Sequence, residues 1–224
     1  MTLKYLRQSW FFFSANFSTL AKINLPFIFA FNLLISQVDL TPSEDNPGDF
    51  ANTLLLLSGL NLLLMPIYWG ATISFMQSTI TGPTYTVSQS LAASLKLWPK
   101  LFSVFLLTSC CIFFGFMAFI IPGIYVAIRL SISDYLCVVE QKSPVQSLKS
   151  SWQLTAQYSW PIFQGIALIL AVIFLLKTLL LSVFESVLSE LSFLNPVINS
   201  LFDLLNVLVM IYGFRIYCLI KEEL

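Results

Sequence analysis

The chain has 224 residues, of which 58 % are hydrophobic and 10 % charged, and its mean hydropathy is +0.86. A soluble domain carries about 25 % charged residues, and a chain of this size cannot hide so much apolar surface in one core, so a soluble fold is excluded and a bilayer is the expected solvent. The 11 Lys and Arg balance 11 Asp and Glu, and there is no histidine, which removes Ser-His-Asp and Cys-His nucleophiles, haem ligation and most zinc chemistry.

At the N-terminus, "MTLKYLRQSWFFFSANFSTLAKINLPF" sets Lys4 and Arg7 before an apolar stretch, as a signal peptide would. A polar interruption, Lys22 and the lack of an A-x-A site make it read as retained. Leu3, Leu6, Trp10, Phe13 and Phe17 recur at steps of three and four, the stripe of an amphipathic helix. Runs of about 20 apolar residues can cross a bilayer as helix, and the chain offers six: 23–40, 51–77, 101–121, 122–139, 160–182 and 195–219. Pro66 and Gly70 are expected to kink the second. Before the third span, Val87, Leu91, Leu95 and Trp98 form another stripe. Pro122 and Gly123 are expected to break the run between spans three and four and make a tight hairpin. Before the fifth span, Ser143 and Pro144 supply an N-cap and a first-turn proline. Val145, Leu148, Trp152 and Ala156 then form the stripe, opposite Gln146, Ser147, Lys149, Ser150 and Gln153. Cys110, Cys111, Cys137 and Cys218 lie in apolar runs without metal-ligand spacing and read as small hydrophobes.

Each amphipathic stretch is too short to span and joins a cationic face to an aromatic anchor (Trp10, Trp98 or Trp152), a composition suited to a helix lying flat in the membrane interface. The expected fold is therefore all-α and polytopic. It has six transmembrane helices in three units of one amphipathic interfacial helix plus a helical hairpin, covering 1–77, 83–139 and 143–219 of a single domain. The segments 5–14 and 147–156 share Leu, a cation, Ser and Trp in register. With the N-terminus inside, Lys4, Arg7, Lys22, Lys96, Lys100, Lys142, Lys149, Arg215 and Lys221 all fall on the cytoplasmic side. The outer connections hold Asp39, Glu44, Asp45, Asp49, Glu185 and Glu190 and no Lys or Arg. By the positive-inside rule both termini are expected in the cytoplasm.

Arg129 and Asp134 stand inside the fourth apolar run. Five residues apart, they cannot form an i,i+4 pair on one helix. Depth, reckoned at about 1.5 Å per residue, sets Arg129 about 10 Å and Asp203 about 12 Å from the outer face. Asp134 and Arg215 both come within about 6–8 Å of the inner face. The expected ion pairs are thus Arg129 with Asp203 and Asp134 with Arg215, joining spans four and six, with Lys177 free to snorkel or to compete for Asp203. The two aspartates sit near opposite faces, which argues against an aspartyl-protease dyad sharing one proton. No phosphate-cradling glycine loop or metal-ligating cluster is present, and the chain does not read as an enzyme; no cofactor is expected.

At "IPGIYVAI", "SPVQSLKSSWQLT" and "VLVMIYGFRIYCLIKEE" the chain resembles the YciC family of small multi-pass proteins of the Gram-negative inner membrane. The most specific piece is Ser147, Leu148, Lys149, Ser150, Ser151, Leu154 and Thr155. The resemblance implies inner-membrane localisation and this topology, without a catalytic residue; Lys177 and Arg215 fit the family pattern, while Arg129 and Asp134 depart from it.

The function expected from the residues is non-catalytic: a membrane-organising or partner-binding protein that engages anionic headgroups through Lys4, Arg7, Lys96, Lys100 and Lys149, each contributing roughly 1 kcal/mol near an anionic surface. Membrane lipids and other inner-membrane proteins are the expected partners; nucleic acid is not. The alternative is a small transporter or lipid-translocating protein with a polar path lined by Arg129, Asp134, Asp203 and Arg215. A hydrated cavity between spans four and six would favour that alternative, and a dry interior the first reading.

Overall fold

The structure is a computed structural model that describes residues 2–37, 47–183 and 194–223. All regular structure in these residues is α-helical: α1 (Thr2–Ala15), α2 (Phe17–Ser36), α3 (Pro47–Thr81), α4 (Val87–Ala118), α5 (Ile120–Arg129), α6 (Ser133–Val139), α7 (Pro144–Leu154), α8 (Ser159–Val183), α9 (Leu194–Leu205) and α10 (Val207–Glu222). Six segments among the described residues are long and apolar enough to cross a membrane: Phe17–Ser36, Asn52–Thr81, Val87–Ala118, Ile120–Val139, Ser159–Val183 and Leu194–Glu222. They coincide with the six expected spans. Of the expected outer acidic residues, Asp39, Glu44, Asp45, Glu185 and Glu190 lie outside the described residues.

Local chemistry sets the helix starts. Thr86 opens α4 with a capping box: the Gln89 N–H donates to the Thr86 hydroxyl, and the Thr86 N–H donates to Gln89 Oε1 at 2.9 Å. Ser143 and Pro144 open α7 as expected, with the Ser143 N–H donating to Gln146 Oε1 at 3.4 Å. Asn16 separates α1 from α2, and its amide donates to the Phe12 carbonyl at 3.0 Å.

Three features differ from expectation. The break between spans three and four is at Phe119, whose backbone is extended (φ −168°, ψ 164°), and not at Pro122–Gly123. Pro122 belongs to the first turn of α5, where its missing N–H leaves no helical bond unmade. Gly123 instead lets α4 cross closely: a Cβ on Gly115 would stand 3.0 Å from the Gly123 Cα. Second, spans four and six are each two helices, divided at Leu130–Ile132 and at Asn206. Third, the amphipathic stretch 87–98 is not a separate flat helix. α3 and α4, at 35 and 32 residues, are about 52 and 48 Å long against a hydrocarbon core of about 30 Å, and α4 runs unbroken through Pro99.

The core sits at the end of the bundle that holds both termini. α6 and α10 are its centre, with Tyr135, Leu136, Met210, Tyr212 and Ile216 almost fully buried. α1, the C-terminal half of α3, the start of α4, α7 and the start of α8 surround them. Small residues permit this density. The Tyr212 ring lies where a Cβ on Gly165 would be, 2.0 Å from its Cζ, and its hydroxyl donates to the Pro161 carbonyl at 2.7 Å. A Cβ on Gly70 would meet Ser94 Oγ at 2.5 Å. That hydroxyl donates to the Ile67 carbonyl at 2.7 Å, which ties α4 to α3. Ser9 and Ser151, in register between the two similar segments, are both buried, as is Ser94. Toward the other end the helices present apolar side chains outward: Leu55, Leu56, Phe113, Phe119, Ile121, Phe174 and Leu179 are all exposed, the surface a bilayer covers.

Candidate functional site

Arg129 is 7 % exposed, yet it is in none of the ion pairs of the described residues. It is the last residue of α5, so its own carbonyl has no helical partner. The hydroxyls of Ser151 and Thr155 on α7 donate to that carbonyl at 2.8 and 2.9 Å. The guanidinium turns to the same helix: it donates to the Trp152 carbonyl and lies 4.8 Å from the Trp152 ring centroid and 5.7 Å from that of Tyr125. A helix C-terminus and two aromatic faces thus hold the charge. The expected pair with Asp203 does not form, because the break after Arg129 directs its side chain to α7.

Asp134 lies on the other side of that break, in the first turn of α6, where a negative charge is favoured. It accepts from Trp69 Nε1 of α3 at 2.6 Å and from the Tyr135 N–H at 3.0 Å. Its expected partner, Arg215, donates instead to Gln8 Oε1 of α1 at 3.1 Å and stands 3.5 Å from Glu222. Between α6 and α10, Tyr135, Phe214 and Tyr217 pack ring against ring, and the Tyr135 hydroxyl donates to the Met210 carbonyl at 2.9 Å.

Asp203, on α9, faces α2 and accepts from the Asn32 amide at 2.9 Å. It lines a cavity of about 330 Å³ between α2, α3 and the α9–α10 junction, together with Asn61, Tyr68, Trp69 and Asn206. This cavity, with polar side chains in its wall, lies between spans one, two and six. Lys177 is half-buried on α8, and Asp203 is in none of the ion pairs of the described residues.

A second cavity, about 240 Å³, opens between α1, the end of α3 and α10. Phe11, Phe12, Met76, Ile80 and Phe214 make it apolar, and Arg215 closes one side. Beside it α1 exposes Leu3, Trp10 and Phe11 along with Lys4 and Arg7, while Ser9 and Phe13 face the core. Lys96, Lys100 and Lys149 are exposed as well. Of the three tryptophan anchors, Trp10 and Trp152 are exposed, at 57 % and 39 %. Trp98 is half-buried and donates to the Leu63 carbonyl of α3 at 3.0 Å, which ties α4 to α3.

One cluster went unremarked in the sequence. Gln141, in the left-handed region at φ +52°, ends α6 and turns the chain toward α7. Glu140, just before it, meets Lys142 at 2.9 Å and Lys221 at 2.8 Å, and accepts from the Tyr217 hydroxyl at 3.0 Å. Partial burial works against ionisation of Glu140, but the hydrogen bonds from Lys221, Lys142 and Tyr217 outweigh it and hold the carboxyl below its ordinary range. The cluster fastens α6 to α10, and a second contact, the Tyr158 hydroxyl donating to Glu223, fastens α10 to the turn before α8. Lys142 and Lys221 entered the sequence reading only as indicators of orientation; an acid two residues before one of them was the available signal.

A family described as an uncharacterised protein family, UPF0259, matches residues 44–219, which take in α3 through almost all of α10. The chain belongs to the UPF0259 family. Its similar relatives are UPF0259 membrane proteins. That of Photorhabdus laumondii is 29 % identical over 159 residues, covering 68 % of this chain and 59 % of the relative. That of Pectobacterium carotovorum is 28 % identical over 172 residues, covering 76 % and 65 %. That of Yersinia pestis is 27 % identical over 199 residues, covering 85 % and 73 %. The chain thus spans less than two thirds of the Photorhabdus and Pectobacterium proteins. No solved structure matches. UPF0259 membership and the six apolar spans agree in making this a multi-pass membrane protein of an uncharacterised bacterial family, as the sequence resemblance implied.

Proposed function

We propose that this UPF0259 protein is a non-catalytic component of the bacterial inner membrane, with both termini in the cytoplasm. Its terminal end binds an anionic glycerophospholipid and organises the membrane, or a partner, around it. The observation that carries the reading is the groove between α1, α3 and α10. Phe12, Met76 and Phe214 offer an apolar bed for an acyl chain, and Arg215 stands at its side, where a phosphate would be. The Arg215 contact to Glu222 is long, 3.5 Å, and the glutamate is exposed, so a phosphate can replace it at small loss. Lys4 and Arg7 on the exposed side of α1 add attraction to an anionic surface. The Lys and Arg asymmetry of the sequence supports the orientation. The non-catalytic reading is favoured over the transport alternative by the ring packing of Tyr135, Phe214 and Tyr217 between α6 and α10.

Binding to the folded state raises its stability. In mixed micelles the thermal midpoint is therefore expected to rise more with added phosphatidylglycerol than with phosphatidylcholine, and Arg215→Gln should erase most of the difference. Equal rises with both lipids in the wild type would contradict headgroup recognition.

A further inference from the structure

The cavity around Asp203 shares none of the lining residues of the groove just described. We propose that it is a second binding site, specific for an organic ammonium group, with Asp203 as its counter-charge. A carboxylate inside a membrane segment is expensive unless it is paired or lines a site. Among the described residues Asp203 accepts from one neutral donor, the Asn32 amide at 2.9 Å, itself shared with Ser200 Oγ at 3.2 Å. All 11 Lys and Arg of the chain fall within the described residues, and the ion pairs among these are Lys142–Glu140, Arg215–Glu222 and Lys221–Glu140. Among the described residues no Lys or Arg pairs with Asp203.

The walls narrow the ligand class. Asn61 and Asn206 add carboxamides, whose oxygens accept from N–H groups. Phe27, stacked on Tyr68 with centroids 5.5 Å apart, and Phe31 add aromatic surface to the same wall. Carboxylate, amide oxygens and aromatic rings together recognise an alkylammonium, whose cationic end is drawn both to the carboxylate and to ring faces. A dehydrated divalent metal needs about six to eight close oxygens, and one carboxylate in a space of about 330 Å³ does not supply them. That space lies at the small end of ligand cavities, which run from about 300 to 1,000 Å³, and has room for an ammonium group together with the chain that carries it. The source of the ammonium is either the headgroup of an amine-bearing lipid or a free small amine; the chemistry at Asp203 is the same.

The test uses the full chain in lipid discs. Ethanolammonium chloride is titrated by calorimetry against protein in phosphatidylglycerol discs, with sodium chloride at equal ionic strength as the blank. Saturable binding is expected, weakened at least tenfold in Asp203→Asn and unchanged in Arg215→Gln, so that failure here and failure of the lipid groove are read on different residues. In discs containing phosphatidylethanolamine, a fivefold or larger loss of apparent affinity assigns the site to the lipid headgroup, and equal affinity assigns it to a free amine. A hydrophobic carbodiimide supplies a readout that needs no variant: its addition to Asp203, followed by peptide mass spectrometry, should slow at least threefold when ethanolammonium is present. Absence of saturable binding in phosphatidylglycerol discs, equal binding by Asp203→Asn, or unaltered carbodiimide labelling would overturn the proposal.

Discussion

Arg129 and Asp134 stand on either side of a helix break, the cation at the C-terminus of α5 and the anion at the N-terminus of α6. Each charge is stabilised by the helix end it occupies and by an indole: Trp152 lies under Arg129, and Trp69 donates to Asp134. This makes a double-mutant test decisive. Asp134→Asn combined with Trp69→Phe should be non-additive by more than about 0.5 kcal/mol, whereas Arg129→Leu with Asp203→Leu should add within that scatter. Unfolding in mild detergent, followed by tryptophan fluorescence and circular dichroism, checks both; coupling between Arg129 and Asp203 would restore the charge pairing inferred from depth. Glu140 carries a pH dependence. Its carboxyl is held below the ordinary range in the folded protein, so the folded state binds this proton less readily than the unfolded chain. Its stabilisation is complete above the unfolded value of about 4.3 and is lost as pH falls through the lower folded value. Glu140→Gln should lower the thermal midpoint at pH 7 and reduce its further fall on acidification. Parallel midpoint curves for the two proteins would leave the cluster without this role.

At the scale of the helices, close approaches set by small residues hold the terminal end together. Gly165→Ala would drive a methyl into the Tyr212 ring, 2.0 Å from Cζ, and should destabilise by about 1–3 kcal/mol. Gly59→Ala, which meets nothing within 4 Å, should be neutral or gain up to about 1 kcal/mol from helix propensity. Denaturant midpoints in detergent measure both, and equal effects would mean that the α8–α10 crossing is not tight. Such contacts also mark the limit of what the residues reveal. The six spans were legible because hydropathy alone encodes them. Their breaks were not, since Phe119 has no local signal of an extended residue and Pro122 is equally at home in a turn or in a first helical turn. The halves of span four were hinted at by "RLSISD", with a cation before and an acid after a serine-flanked stretch. Of the α7 stripe, Val145 and Trp152 are exposed, while Leu148 packs against the core. The opposite serine face docks on the bundle, since the open carbonyl of Arg129 calls for hydroxyl donors.

For the molecule as a whole, the asymmetry between a packed terminal end and an outward-facing apolar end matches the asymmetry of charge along the chain. In a variant without its native cysteines, Thr84→Cys, on the exposed turn between α3 and α4, should react with an impermeant thiol reagent only after cells are permeabilised. Ser43→Cys and Ser189→Cys, outside the described residues, should react in intact cells. The reverse pattern would invert the orientation.

The groove beside Arg215 is tested most directly by extracting the protein with its surrounding native membrane and measuring the lipids retained. The account predicts anionic glycerophospholipid enriched at least twofold over the bulk membrane around the wild type, and bulk composition around Arg215→Gln. Bulk composition around both would contradict it.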